Sequence, residues 1–231
     1  IRDFIYPDRV VIGTSEKRAS KILKQLYSPL ISKGAKFVNT SRRAAELIKY
    51  ASNAFLATKI TYINEIANMC EKLNVNVEDV SIGMGLDNRI GGRFLRAGPA
   101  YGGSCFPKDT KAILDTASKF KTNLSLIKSV IKSNENRSKL LTNRILKLLN
   151  NNLKNKKICF LGVTFKANTD DMRDSSCIKM IPALSKKGSL INYYDPTGEK
   201  KEFKNIKNVK FKNSIKSACV NSDLVIIHTE W

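Results

Sequence analysis

From Ser41 to Leu73 the chain reads SRRAAELIKYASNAFLATKITYINEIANMCEKL, with neither proline nor glycine to interrupt it. Nothing in that stretch breaks an α-helix, and at 1.5 Å per residue it extends to about 50 Å. A helix that long is expected to cross a domain boundary. Before it, residues 8–13 (DRVVIG) predict a short buried strand closed by Gly13, residues 15–30 an amphipathic helix opened by Ser15, and residues 35–40 (AKFVNT) a second strand. That β-α-β order reads as the tail of a parallel sheet whose earlier strands are expected to lie outside this chain.

After the long helix, VEDVSIGMGLDNRIG reads as a loop, residues 110–120 and 124–149 as helices, and NNNLKNKK (150–157) as a linker. An apolar strand over 156–165 follows, then a helix over 177–188 ending at Gly188, a strand over 189–196 stopped by Pro196, and a strand over 222–231. Strands alternating with helices predict an α/β domain with a parallel sheet.

The chain has 231 residues, 42% of them hydrophobic, enough for one large domain or two small ones with buried cores. No apolar run approaches the roughly 18 residues of a membrane span, and IRDFIYPDRV lacks the layout of a signal peptide. The five cysteines (Cys70, Cys105, Cys159, Cys177, Cys219) are scattered, without a CxxC pair and with one histidine in the chain, which argues against a disulfide framework and against a metal site. A reducing cytoplasm is the expected compartment. The formal charge of +21 gathers in Lys/Asn-rich stretches such as 199–216, read either as a solvated face or as a surface that attracts an anion such as a nucleotide diphosphate.

Two places carry chemistry. Lys49 and Asn53 lie four apart on one face of the long helix, with Ala57 a turn further leaving space above it. They are either a functional pair or simply an exposed lysine and a tolerated asparagine. The second place is GPAYGGSCFPKDTKAIL (98–114), where Gly98, Gly102 and Gly103 allow close backbone approach to a ligand and Pro107 suits the first turn of a helix beginning just after Cys105. A thiol at a helix N-terminus faces the positive end of the dipole, which favours the thiolate a nucleophile requires. Asp109, one turn on, is close enough to position a water or hold a proton. The other reading is a buried structural cysteine in a tight turn.

AELIKYASNAFLATKITYINEIANMCEKL, GLDNRIGGRFLRAGPAYGGSCFPKD and LGVTFKANTDDMRDSS, in that order, resemble the UDP-glucose 6-dehydrogenase family of nucleotide-sugar dehydrogenases, and the resemblance runs from PDRVVIG to HTEW. It implies an NAD-dependent, four-electron oxidation of UDP-glucose to UDP-glucuronate. Cys105 would form a thiohemiacetal and then a thioester that water hydrolyses, Lys49 and Asn53 would stabilise the oxyanion at C6, and Asp109 would assist the water.

By the same resemblance Phe94, Leu95, Arg96, Tyr101, Gly102, Phe165 and Lys166 bind substrate. Arg89 reaches a neighbouring subunit's site in a homodimer built along the central helix, and Arg173 lies on the cofactor side. No membrane and no nucleic-acid partner is implied. The expected architecture is α/β: the tail of an N-terminal Rossmann-like NAD-binding domain (1–40), the long helix with an all-α dimerisation domain carrying the cysteine loop (41–150), and a partial Rossmann-like UDP-binding domain (151–231). Ala100 stands where the family usually has glycine, and the lone Gly162 makes no GxGxxG fingerprint. The chain is therefore expected to be an inactive portion of a longer enzyme. A dehydrogenase for GDP-mannose or UDP-N-acetylmannosamine and a non-catalytic basic binding module are the alternatives.

Overall fold

The structure, a computed structural model, describes residues 2–231, and the chain divides into two units between Asn53 and Ala54. In the first unit α1 (Arg2–Ile5) precedes β1 (Arg9–Gly13), α2 (Lys17–Leu26), α3 (Ser28–Ile31), β2 (Lys36–Thr40) and the opening turns of α4 (Arg42–Leu73). β1 and β2 pair in parallel, Val10 opposite Phe37 and Ile12 opposite Asn39. Gly13 is required where it stands, because a Cβ there would lie 2.7 Å from Arg42 Cα, in the first turn of α4. Arg9 Nη2 also donates to Ser52 Oγ at 3.0 Å.

The predicted helix over 15–30 is shorter than expected and does not open at Ser15. Its N-cap is Glu16, whose N–H is taken up by Thr14 Oγ1 at 3.1 Å, and Pro29 starts the separate turn α3 because its ring suits the beginning of a helix and not its interior.

The second unit holds the rest of α4, then α5 (Val77–Gly85), α6 (Phe106–Lys119), α7 (Ser125–Leu148), β3 (Lys157–Leu161), α8 (Cys177–Lys186), β4 (Leu190–Tyr194), β5 (Val209–Phe211), α9 (Ile215–Cys219) and β6 (Leu224–Ile227). All pairings in its sheet are parallel, in the order β5-β4-β3-β6. Ile158, Phe160, Ile191 and Tyr193 from the strands, Met180, Ile181 and Leu184 from α8 and Ile145 from α7 form the main core. A smaller cluster joins Ala57 of α4, Val130 of α7 and Tyr101, with Phe106 against it.

Three elements of the second unit were not expected at all. The segment read as a loop after the long helix is α5, despite Gly83 and Gly85. Asn76 Oδ1 accepts the Glu78 N–H at 3.0 Å, and Glu78 and Asp79 sit at the positive end of the helix dipole. β5 lies in the stretch over 199–216 read only as charged surface, where lysines flank Val209 and Phe211, and α9 begins at its end, with Ser214 Oγ accepting the Ser217 N–H at 3.1 Å as a cap.

Candidate active site

Cys105 is the N-cap of α6, with Pro107 in the first turn, and its side chain is exposed. The thiol has the open setting of a nucleophile and not that of a buried small hydrophobe. Ser104 Oγ lies 3.7 Å from Sγ. One turn along, Asp109 is completely buried, and its Oδ1 accepts from Lys108 Nζ at 2.6 Å while its N–H closes the first helical turn on the Cys105 carbonyl at 2.9 Å.

The glycines before the thiol press against the C-terminal half of the unit. A Cβ on Gly102 would lie 2.6 Å from the Asp174 carbonyl oxygen and 3.0 Å from Phe165 Cβ, and one on Gly103, at φ +79°, would strike the Phe165 ring at 2.6 Å. The Gly103 N–H donates to the Arg173 carbonyl at 2.8 Å. Asp171 grips the Arg173 side chain at 2.8 Å and holds its guanidinium above the usual range, and the Cys105 sulfur adds to that attraction. Two separate sequence motifs thereby meet beside the thiol.

Phe165 and Lys166 follow the C-terminal end of β3, the strand at which the sheet order reverses, with β4 on one side and β6 on the other. Open α/β sheets bind ligands in the crevice outside the carboxyl ends of the strands at that point. Its walls are tightly built. A Cβ on Gly162, at φ +72°, would lie 2.5 Å from Thr229 Cβ, Thr229 Oγ1 donates to the Thr164 carbonyl at 2.7 Å, and Asp195 Oδ2 accepts the Val163 N–H at 2.9 Å. Burial pushes the Asp195 carboxyl up, but bonds from Thr197 and Val163 and the Lys200 ammonium outweigh it and hold it below its ordinary value. Lys166 Nζ sits over the Phe165 ring at 5.6 Å. Arg96 reaches Glu230, beyond β6, at 2.6 Å.

The other residues singled out in the sequence fall into four groups. Tyr101 and Phe94 each meet Phe106 edge to face at 6.1 Å, so both frame the start of α6. Burial pushes the Tyr101 phenol up, opposed by its bond to Thr110. Leu95 is buried and its carbonyl accepts from Ser81 Oγ at 2.6 Å, which makes it a support and not a surface. Arg89 is exposed and clamped by Asp87 at 2.6 Å, making none of these contacts. Lys49 and Asn53 belong to the first unit, the former exposed, the latter half-buried, with Lys49 Nζ 5.9 Å from the Tyr50 ring centroid.

Sequence reasoning missed the residues that hold the cysteine loop from behind, namely Asn64, Asn134 and Arg137. Asn64 continues the Lys49-Asn53-Ala57 stripe of α4, a signal that was readable. Asn134 and Arg137 stand in the polar run SNENRSK, where nothing marks them out.

A dinucleotide pyrophosphate is held by a Gly-rich turn from strand to helix. Among the described residues the turns after β1 and β3 offer Gly13 and Gly162, and each accommodates a neighbour, Arg42 and Thr229 respectively. These residues do not form a dinucleotide cradle. Nor do the described residues include a cluster of metal-ligating side chains or a helix long and apolar enough to cross a membrane.

Residues 43–136 match the central domain, and residues 159–231 the UDP binding domain, of the UDP-glucose/GDP-mannose dehydrogenase family. Proteins named UDP-glucose 6-dehydrogenase are similar over the whole chain. That of Rickettsia felis is 47% identical, with 52% of its length covered, and that of Rickettsia prowazekii is 46% identical, with 54% covered. The structure of a UDP-glucose dehydrogenase from Pyrobaculum islandicum superimposes with a TM-score of 0.92 at 33% identity, covering all of this chain and 52% of that one. The chain thus spans about half the length of the relatives it matches. With both family domains matched in order and the same α/β fold, the chain belongs to the UDP-glucose/GDP-mannose dehydrogenase family.

Proposed function

We propose that this chain supplies the covalent-catalysis half of a UDP-glucose 6-dehydrogenase, carrying the sugar C6 from aldehyde to carboxylate on Cys105. The observation that carries the reading is an exposed thiol at the N-terminus of α6, beside the Gly102-Gly103 segment that packs on Phe165 at the carboxyl end of β3. The relatives' names support UDP-glucose as substrate. Its diphosphate anion suits a crevice flanked by Lys166 and Arg96, with the sugar directed toward the thiol and Arg173 kept for the cofactor side.

The Cys105 thiolate adds to the C6 aldehyde to give a thiohemiacetal. The oxyanion formed there is the group that Lys49 and Asn53 stabilise by family resemblance. Loss of hydride from that carbon leaves a thioester, which an incoming water cleaves to carboxylate and free thiol, with Asp109 orienting the water or receiving its proton. A nicotinamide cofactor, NAD by resemblance, would supply the hydride acceptor for the four-electron oxidation, held by residues other than the Gly13 and Gly162 turns. The resemblance also implies a cytoplasmic homodimer organised along α4, with Arg89 serving the neighbouring subunit, in three domains over 1–40, 41–150 and 151–231. Exposed Phe55, Tyr62 and Met69, seven residues apart, and Leu73 give α4 an apolar stripe suited to that contact.

The test is adduct formation with the C6 aldehyde of UDP-glucose, which needs no cofactor. Wild-type chain is expected to show, by native mass spectrometry, the mass of one added sugar nucleotide held as the thiohemiacetal, and Cys105→Ser to show none. An adduct of equal yield in Cys105→Ser, or none in wild type, overturns the reading. Equal trapping of a GDP-mannose or UDP-N-acetylmannosamine aldehyde would remove the assignment to UDP-glucose.

A further inference from the structure

Given Cys105 as the nucleophile, on which this inference rests, we propose that Asn134 of α7 is a positioning residue for that thiol. It acts through Tyr101, while Arg137 and Asn64 anchor the same segment at Gly98. No helix or strand holds the chain between α5 and α6. Side chains do the work instead. Asn134 Oδ1 accepts the Tyr101 N–H at 2.9 Å, and its Nδ2 donates to the Tyr101 carbonyl at 3.0 Å, so one amide satisfies both backbone groups of that residue as a neighbouring strand would. Arg137 Nε donates to the Gly98 carbonyl at 2.7 Å, and Asn64 Oδ1 accepts the Gly98 N–H at 2.7 Å.

These contacts are held at a cost. Asn64 Nδ2 is buried and has no hydrogen-bond partner among the described residues, an expense that an apolar side chain would avoid and that leaves the Gly98 contact as what the amide provides. Arg137 donates to two carbonyls and to the Asn68 amide oxygen, and burial, aided by the charge of Arg144, lowers its guanidinium to about 10. Between Tyr101 and Cys105 little freedom remains. Gly102 and Gly103 are fixed against Phe165 and Arg173, leaving Ser104 alone before the thiol. The hold on Tyr101 and the contacts of Gly102 and Gly103 with Phe165 and Arg173 therefore set together where Cys105 stands at the N-terminus of α6.

Iodoacetamide labelling of the 231-residue chain tests this without substrate or cofactor. Partly exposed Cys219 serves as the internal reference, and both sites are quantified by peptide mass. Because Cys105 is already exposed, freeing the loop gives little extra access but loses the fixed placement of the residue at the N-cap of α6, so Asn134→Ala should lower the Cys105 to Cys219 labelling ratio about fivefold. Asn134→Asp keeps the acceptor for the Tyr101 N–H, loses the donor, and should fall between the two. An unchanged ratio in Asn134→Ala overturns the proposal, including the case in which both thiols speed up together through general loosening. So does an Asn134→Asp ratio no nearer wild type than that of Asn134→Ala. Failure of aldehyde trapping leaves this readout intact, so the two readings fail separately.

Discussion

Gly98 and Gly103 stand five residues apart in the same loop and do different jobs. A Cβ on Gly98 would meet nothing within 4 Å, so Gly98→Ala should change stability by no more than about 0.5 kcal/mol. Gly103 combines φ +79° with the Phe165 ring, and Gly103→Ala should cost about 2 kcal/mol or more in urea unfolding. Equal costs at the two sites would mean that the ring does not define the loop. A second prediction concerns His228, buried between Ser176 Oγ, 2.7 Å from Nε2, and Thr229 Oγ1, 3.1 Å from Nδ1. Burial lowers its pKa from 6.5 to about 4, with the Asp195 charge opposing. Between those values the unfolded chain takes up a proton that the folded one refuses. The contribution is therefore full above about pH 6.5, falls as pH drops, and levels off below about pH 4, with about 2 kcal/mol lost by pH 5. His228→Gln should flatten that part of the pH-stability curve, and a variant with the wild-type slope would place the titration elsewhere.

At the level of elements, the apolar stripe of α4 makes the proposed dimer testable. Phe55→Glu combined with Met69→Glu should give a monomer by sedimentation at micromolar concentration where wild type is dimeric; an unaltered dimer would place the contact elsewhere. α4 itself was fully legible, because an uninterrupted run of helix formers has no competing pattern. α5 was not, since two glycines and an acidic start mimic a loop until the Asn76 cap and the dipole are counted. β5 was hidden for a different reason. With only Val209 and Phe211 as its apolar pair, a three-residue strand set among lysines is defined by its pairing with β4 more than by its own composition.

Taken whole, the molecule is a strong cation, at +21, and a diphosphate ligand should feel it. The association rate of UDP with the chain is expected to fall about tenfold between low salt and salt that shortens the screening length to a few ångströms, while that of uridine stays nearly constant. Stopped-flow binding would show it, and equal salt sensitivity for the two ligands would reduce the charge to a solvated coat. The sequence announced the thiol and the glycines around it because their chemistry is unusual at any position. It could not announce Asn134 and Arg137, whose importance lies in which carbonyls they face across the fold. That dependence has a consequence for α7. Its Asn134 and Arg137 hold the loop, and about two turns later its Ile145 seats in the core of the sheet, so the angular phase between the two ends is set at about 100° per residue. One alanine inserted between Arg137 and Ile145 would preserve the helix and its core anchor yet swing the Asn134 amide more than a quarter turn from Tyr101, making the spacing along α7 as strict a requirement as any side chain on it.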